Sequence, residues 1–175
     1  MNTPNDGRLV TGLFPDRESA EAAYGSATAR GYADKDVDVI MSDDTRRQHF
    51  AGTGTETELG NKAAEGAGVG GAIGGTLGAI AAAIAAIGTT LALPGLGLVV
   101  AGPLAAAVAG AGAGAASGGL IGALIGWNIP EERVKHYEEG VRKGGILMGL
   151  RARNEEDAAH FEQSWKANRG EHVYR

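Results

Sequence analysis

From Leu9 to Phe14 the chain is apolar apart from Thr11 and Gly12, with Val10, Gly12 and Phe14 on one side and Leu9, Thr11 and Leu13 on the other. This spacing predicts a strand with both faces partly buried. Pro15-Asp16-Arg17-Glu18 then opens a helix, since the Asp16 carboxylate can accept the free amide protons of a first turn. Ala20, Ala23, Tyr24 and Ala27 form the helix's apolar stripe, and Gly31 suits the left-handed position that ends it. A second run, Asp36 to Met41, completes a β-α-β unit.

The far end of the chain repeats this logic. Pro130-Glu131-Glu132 starts a helix with Val134, Tyr137 and Val141 on one face, and Gly144-Gly145 stops it. Ile146 to Arg151 reads as a strand, followed by a helix capped at Asn154-Glu155-Glu156-Asp157 with Ala158, Phe161 and Trp165 on its buried stripe. His172-Val173-Tyr174 forms a short last strand. Neither half can cover an apolar sheet alone, so residues 1–41 and 129–175 are expected to build one α+β domain. The expected arrangement is a ferredoxin-like split β-α-β domain with its helices on one face. Residues 42–62 read as a polar linker, with His49 and Phe50 as its candidates for a contact.

Between the halves the pattern changes completely. From Gly66 to Gly126 there is no charged residue, so the stretch needs burial in protein or in lipid. Small residues recur every fourth position in two rows. The first is Gly66, Gly70, Gly74, Gly78, Ala82 and Ala86; the second is Gly102, Ala106, Gly110, Gly114, Gly118, Gly122 and Gly126. On helices each row is a groove of bare backbone. Folding about Leu96, within the turn-prone Pro94-Gly95-Leu96-Gly97, sets Gly66 against Gly126 and Gly74 against Gly118. The prediction is a glycine-zipper helical hairpin over residues 63–128, with these rows as the helix–helix interface.

Composition narrows the function. The net charge of −5 gives no basic surface for nucleic acid, and the absence of cysteine excludes disulfides and thiol chemistry. Gly66-x-Gly68-x-x-Gly71 imitates a dinucleotide-binding string but lacks the preceding strand and the later acidic residue. His49, His136, His160 and His172 are scattered, and Glu132 with His136 makes one helical pair where a metal centre needs three or four ligands. No nucleophile pairs with a base. The chain is therefore read as a non-enzyme, with no cofactor, metal or small-molecule substrate.

The hairpin is read as inserting into a membrane, where copies associate through it; a second environment also suits it. Each helix exceeds the roughly 20 residues that span a bilayer, but Val69, Ile73, Leu77, Ile80, Ile84 and Ile87 favour insertion by only about 2 to 4 kcal/mol in sum. Insertion would put both polar segments on one side, the cytoplasmic side of an inner membrane. The alternative is a soluble homo-oligomer in the cytoplasm, whose hairpins bury one another in a dry core with the α+β domains outside. An isolated chain would expose far more apolar surface than a monomer tolerates, so homo-oligomerisation is expected either way.

The polar segments also resemble a family of small bacterial general-stress proteins of the heat-induced type. The resemblance rests on Leu13-Phe14-x-Asp16-x-x-x-Ala20 with Tyr24 and Gly31, then on Ile129-Pro130-Glu131-Glu132, Tyr137-Glu138-Glu139-Gly140-Val141 and Gly144-Gly145-Ile146-Leu147. Some such proteins, including those called low-temperature-induced, carry a glycine-zipper insertion between the halves. The resemblance implies a role in stress and supplies no catalytic residue.

Overall fold

The computed structural model describes residues 8–50, 80, 90–93, 97–105, 124 and 129–175. The polar halves form the predicted elements: β1 (Arg8–Phe14), α1 (Arg17–Ala29) and β2 (Val37–Ser42) from the first, and α3 (Glu131–Arg142), β5 (Ile146–Ala152), α4 (Glu155–Ala167) and β6 (Glu171–Tyr174) from the second. Helix α1 begins where Asp16 Oδ1 accepts the Ser19 N–H at 2.8 Å, and α4 where Asn154 Oδ1 accepts that of Asp157 at 2.8 Å. Each cap satisfies a first-turn donor that the helix leaves unpaired.

Three further elements come from residues between the halves. They are α2 (Asp43–Phe50), β3 (Thr90–Leu93) and β4 (Leu98–Ala101). All pairings are antiparallel, in the order β3-β4-β2-β5-β1-β6. The fold is α+β. Its centre is the β1–β5 pair, registered from Arg8 opposite Ala152 to Phe14 opposite Ile146.

Side chains on a strand alternate between faces, and here both faces are buried. On one side Val10, Phe14, Val39, Met41, Ile146 and Met148 pack with Ala20, Ala23 and Tyr24 of α1 and with Ala158, Phe161 and Trp165 of α4. On the other, Leu13, Ile40, Val100 and Leu147 pack with Val134, Tyr137 and Val141 of α3. Helix α3 thus corrects the expectation that all helices share one face. The reason lies in β1 and β5, whose Leu13 and Leu147 need cover on the side away from α1 and α4.

Two other expectations change. The polar linker expected over 42–62 begins as helix α2, whose acidic first turn and basic last turn complement its dipole. The Thr45 N–H meets Ser42 Oγ at 3.0 Å, and Phe50 is buried beneath the Arg17 guanidinium, 4.9 Å from its ring centre. With one large apolar side chain, α2 has no stripe for periodicity to detect. Residues 51–62 lie outside the described residues.

The middle of the stretch expected to be a continuous helical hairpin over 63–128 is a β-hairpin. Leu93 pairs with Leu98 and Thr90 with Ala101, so the chain reverses between Leu93 and Leu98, the interval that contains the predicted centre. Pro94 cannot continue a helix, and Val99-Val100 favour a strand. The four-residue row of small side chains also breaks here, with Thr90, Pro94 and Leu98 in its register.

A polar cluster fastens the halves together. Tyr32, after α1, donates its hydroxyl to Asp157 Oδ2 at 2.6 Å and accepts the Arg153 N–H at 2.8 Å, while Arg30 pairs with Asp157. The Arg153 guanidinium stacks 4.0 Å from the Tyr32 ring centre. Burial and the Asp157 bond push the Tyr32 hydroxyl pKa up, and the same bond, then Arg30, holds Asp157 below the usual carboxylate range. Tyr32→Phe removes the buried bond to Asp157 and leaves the partly buried Arg153 N–H without its acceptor. A loss of about 1 to 3 kcal/mol is expected in urea unfolding, with the slope unchanged.

Candidate functional site

The feature of this chain that asks for a function is the uncharged stretch, and the site is where that stretch meets the sheet. Strand β4 pairs with β2 from Val39 opposite Ala101 to Ser42 opposite Leu98, and the Asp43 N–H donates to the Gly97 carbonyl at 2.7 Å. Leu98, Val99, Val100 and Ala101 are all buried. The midpoint of the stretch is therefore a strand of the domain.

Gly102 ends β4, and its place differs from the helix–helix interface expected for it. Its φ is +105°, and a Cβ there would lie 2.5 Å from the Val37 carbonyl oxygen and 2.8 Å from Asp38 Oδ1. Only glycine permits both the backbone conformation and the approach. Residues 103–105 are helical, with Pro103 at the start, where a missing N–H costs nothing. The Leu104 N–H donates to Asp38 Oδ1 at 2.6 Å, so a carboxylate from β2 caps a helical turn distant in sequence.

Asp38 is 4% exposed, and desolvation raises its pKa to about 6, offset in part by the Leu104 N–H and by the positive charge of Arg151. A second carboxylate holds the stretch elsewhere. Glu21 of α1 accepts the Ile80 N–H at 2.9 Å, with Arg17 3.6 Å away on its other oxygen. Ile80 is fully buried in the core under α1 and α4, whereas Leu104, Ala105 and Leu124 belong to the core under α3. The anchors on either side of the β-hairpin thus sit on opposite faces of the sheet. Of the predicted interface, Gly66, Gly70, Gly74, Gly78, Ala82, Ala86, Ala106, Gly110, Gly114, Gly118, Gly122 and Gly126 lie outside the described residues.

The remaining candidates are structural in their contacts. His136 and His172 stack with ring centres 4.8 Å apart, joining α3 to β6, and His160 lies edge-on to Phe161. Sequence spacing linked His136 only to its own helix; the partner comes from a strand beyond α4. Tyr137 shares its hydroxyl with Thr11 Oγ1 at 2.8 Å and donates to the His172 carbonyl at 2.8 Å, and burial pushes its pKa up to about 12. An open cavity of about 410 Å³ near Ser42, Thr45 and Gly144 carries Arg142 and Lys143 at its rim, each paired with a glutamate one helical turn back. Among the described residues no group of three His, Asp or Glu side chains is placed to hold a metal ion. Among them, too, no helix is long and apolar enough to cross a membrane.

Two substitutions test the anchor. Gly102→Ala forces a Cβ against the Val37 carbonyl and is expected to cost about 2 to 4 kcal/mol in thermal or urea unfolding. For Asp38→Asn the sign follows from burial of the charge. Because the folded pKa lies above the ordinary value of 3.8, the wild type loses stability as pH rises from about 4 to about 6. Asparagine keeps an acceptor for Leu104 and does not ionise. The variant should match the wild type near pH 4 and exceed it by roughly 3 kcal/mol at pH 7. Taking the difference between the proteins removes the opposite slope contributed by Asp16 and Asp157, whose pKa values are lowered.

Comparison with protein families, with curated proteins and with solved structures finds no match for this chain.

Proposed function

We propose that this is a non-enzymatic, stress-associated protein of the cytoplasm whose copies assemble through the glycine-rich arms on either side of the β3–β4 hairpin. The α+β domain is read as ferredoxin-like. Supporting this, two β-α-β halves interleave as β2-β5-β1-β6, with α3, β3 and β4 as additions to that plan.

One observation carries the assembly reading over the membrane reading: the middle of the uncharged stretch is a strand of the domain's own sheet. A transmembrane hairpin needs its turn on the far side of the bilayer. Here 29 residues separate Phe50 from Ile80 and 18 separate Ala105 from Leu124, and all four of these residues are buried in the domain's cores. Crossing and returning takes about 40 residues as helices. Each span is too short for that, yet residues 66–126 carry no charge and need burial. Their partner is best supplied by another copy.

The same geometry redirects the zipper. The register about Leu96 pairs the arms within one chain, whereas Ile80 and Leu124 are seated on opposite faces of the sheet. We therefore assign the glycine rows to contacts between copies, where bare backbone lets helices approach and dispersion accumulates.

The test is extraction without detergent, with carbonate washing of the membrane pellet and light scattering of the soluble fraction. A discrete multi-copy particle is expected, and recovery only in washed membranes would reject the proposal. Gly74→Leu or Gly118→Leu should break the particle, since lost packing outweighs the helix-propensity gain of about 1 kcal/mol. Gly68→Leu or Gly71→Leu, off the main row, should leave it intact.

A further inference from the structure

The two carboxylates that hold the uncharged stretch to the domain are built differently. Glu21, which accepts the Ile80 N–H, has the Arg17 guanidinium 3.6 Å from its other oxygen, so its charge has a partner. Asp38, which accepts the Leu104 N–H at 2.6 Å, is 4% exposed, and among the described residues no ion pair includes it. An ionised carboxylate can accept about four hydrogen bonds, and a buried one that lacks partners and an opposite charge is costly to keep ionised.

The elements around Asp38 compensate little. It lies on the same face of β2 as Ile40, toward the core under α3, which turns Val134, Tyr137 and Val141 to this side. The Tyr137 hydroxyl is already bonded to Thr11 and to the His172 carbonyl. Strand β4 and residues 102–105 bring no charge, and the Gly102 backbone packs against the same carboxylate. On β5, Asp38 stands opposite Gly149, and the exposed Arg151, two residues on, acts on it through space.

We propose that Asp38 makes this joint a proton-operated latch, with residues 102–105 held to β2 firmly when its carboxyl is protonated and loosely when it is ionised. A protonated carboxyl keeps one oxygen as acceptor for the Leu104 N–H and removes the buried charge. An ionised one keeps the bond too, but it regains hydration when residues 102–105 move away. The moving unit is a single helical turn, closed by the Ala105 N–H on the Gly102 carbonyl at 3.0 Å, with Leu104 in the core and Pro103 exposed. Gly102 is its hinge, since a residue without a side chain changes φ and ψ freely.

Closure raises the Asp38 pKa from 3.8 to about 6, so the extra hold is complete below about pH 4 and is lost as pH rises through about 6. With these two values the opening equilibrium rises about tenfold between pH 5 and pH 7. The latch is a property of one chain and does not depend on assembly between copies.

Hydrogen exchange on the full-length protein, read by mass spectrometry for residues 102–105 at pH 5, 6 and 7 and corrected for the intrinsic rise of exchange with pH, measures this equilibrium. Protection is expected to fall about tenfold from pH 5 to pH 7 in the wild type and to stay level in Asp38→Asn, which keeps an acceptor and does not ionise. Amides of β1 and β5 report global unfolding. Those of 102–105 are expected to exchange faster, at a rate that low urea leaves unchanged, which marks a local opening. Arg151→Gln removes the charge that favours ionised Asp38 and is expected to move the fall to higher pH. A level wild-type profile, a fall that persists in Asp38→Asn, exchange of 102–105 only together with β1 and β5, or a shift to lower pH in Arg151→Gln each overturns the latch.

Discussion

The backbone pairing of β1 with β5 is the interaction on which the rest depends. It joins Arg8–Phe14 to Ile146–Ala152 across nearly the whole chain; β6 attaches to β1, β2 to β5, and β4 and then β3 extend the sheet beyond β2. Closing so long a loop is less costly than it looks, since each doubling of length adds only about 0.6 kcal/mol of entropy. What makes the closure favourable is that both strands bury side chains on both faces. The aromatic side chains on those faces each contribute about 1.5 to 3 kcal/mol when buried.

A sheet buried on both faces creates a demand that the polar halves alone do not meet. Helices α1 and α4 cover one side, and α3 covers part of the other, over Leu13 and Leu147. Strand β2 would still be an edge, with Ile40 beside open space. The uncharged stretch supplies the missing cover: β4 completes the pairing of β2, and Leu104 and Leu124 join the core under α3. The insertion is thus part of the domain at its midpoint.

Asp38 shows how the joint is held. A carboxylate buried beside Gly102 is costly, and its single described hydrogen bond, from the Leu104 N–H, does not restore an ordinary pKa. Its position ties the start of the second arm to the strand that β4 covers. Replacement by asparagine keeps the bond and removes the charge. The carboxylate is therefore a source of pH dependence rather than of strength.

Local signals alone determined much of this protein. Asp16 and Asn154 as caps, the stripes of α1, α3 and α4, the short apolar runs of β1, β2 and β5, and a chain reversal at Pro94–Gly97 all follow from the spacing of apolar, small and turn residues, which acts over a few positions. What tertiary structure decided is of longer range. Helix α2 has too few apolar residues to declare itself and exists because Phe50 finds a core. Glycine and alanine at helical spacing on either side predict helix for the segments around the reversal. They are strands because β2 offered an open edge, and edge pairing is invisible to any pattern within the segment. Nothing in the spacing around Asp38 and Glu21 marks either carboxylate as an anchor. Their partners, the Leu104 and Ile80 amides, are backbone groups that carry no side-chain signature, so only folding could bring them into view.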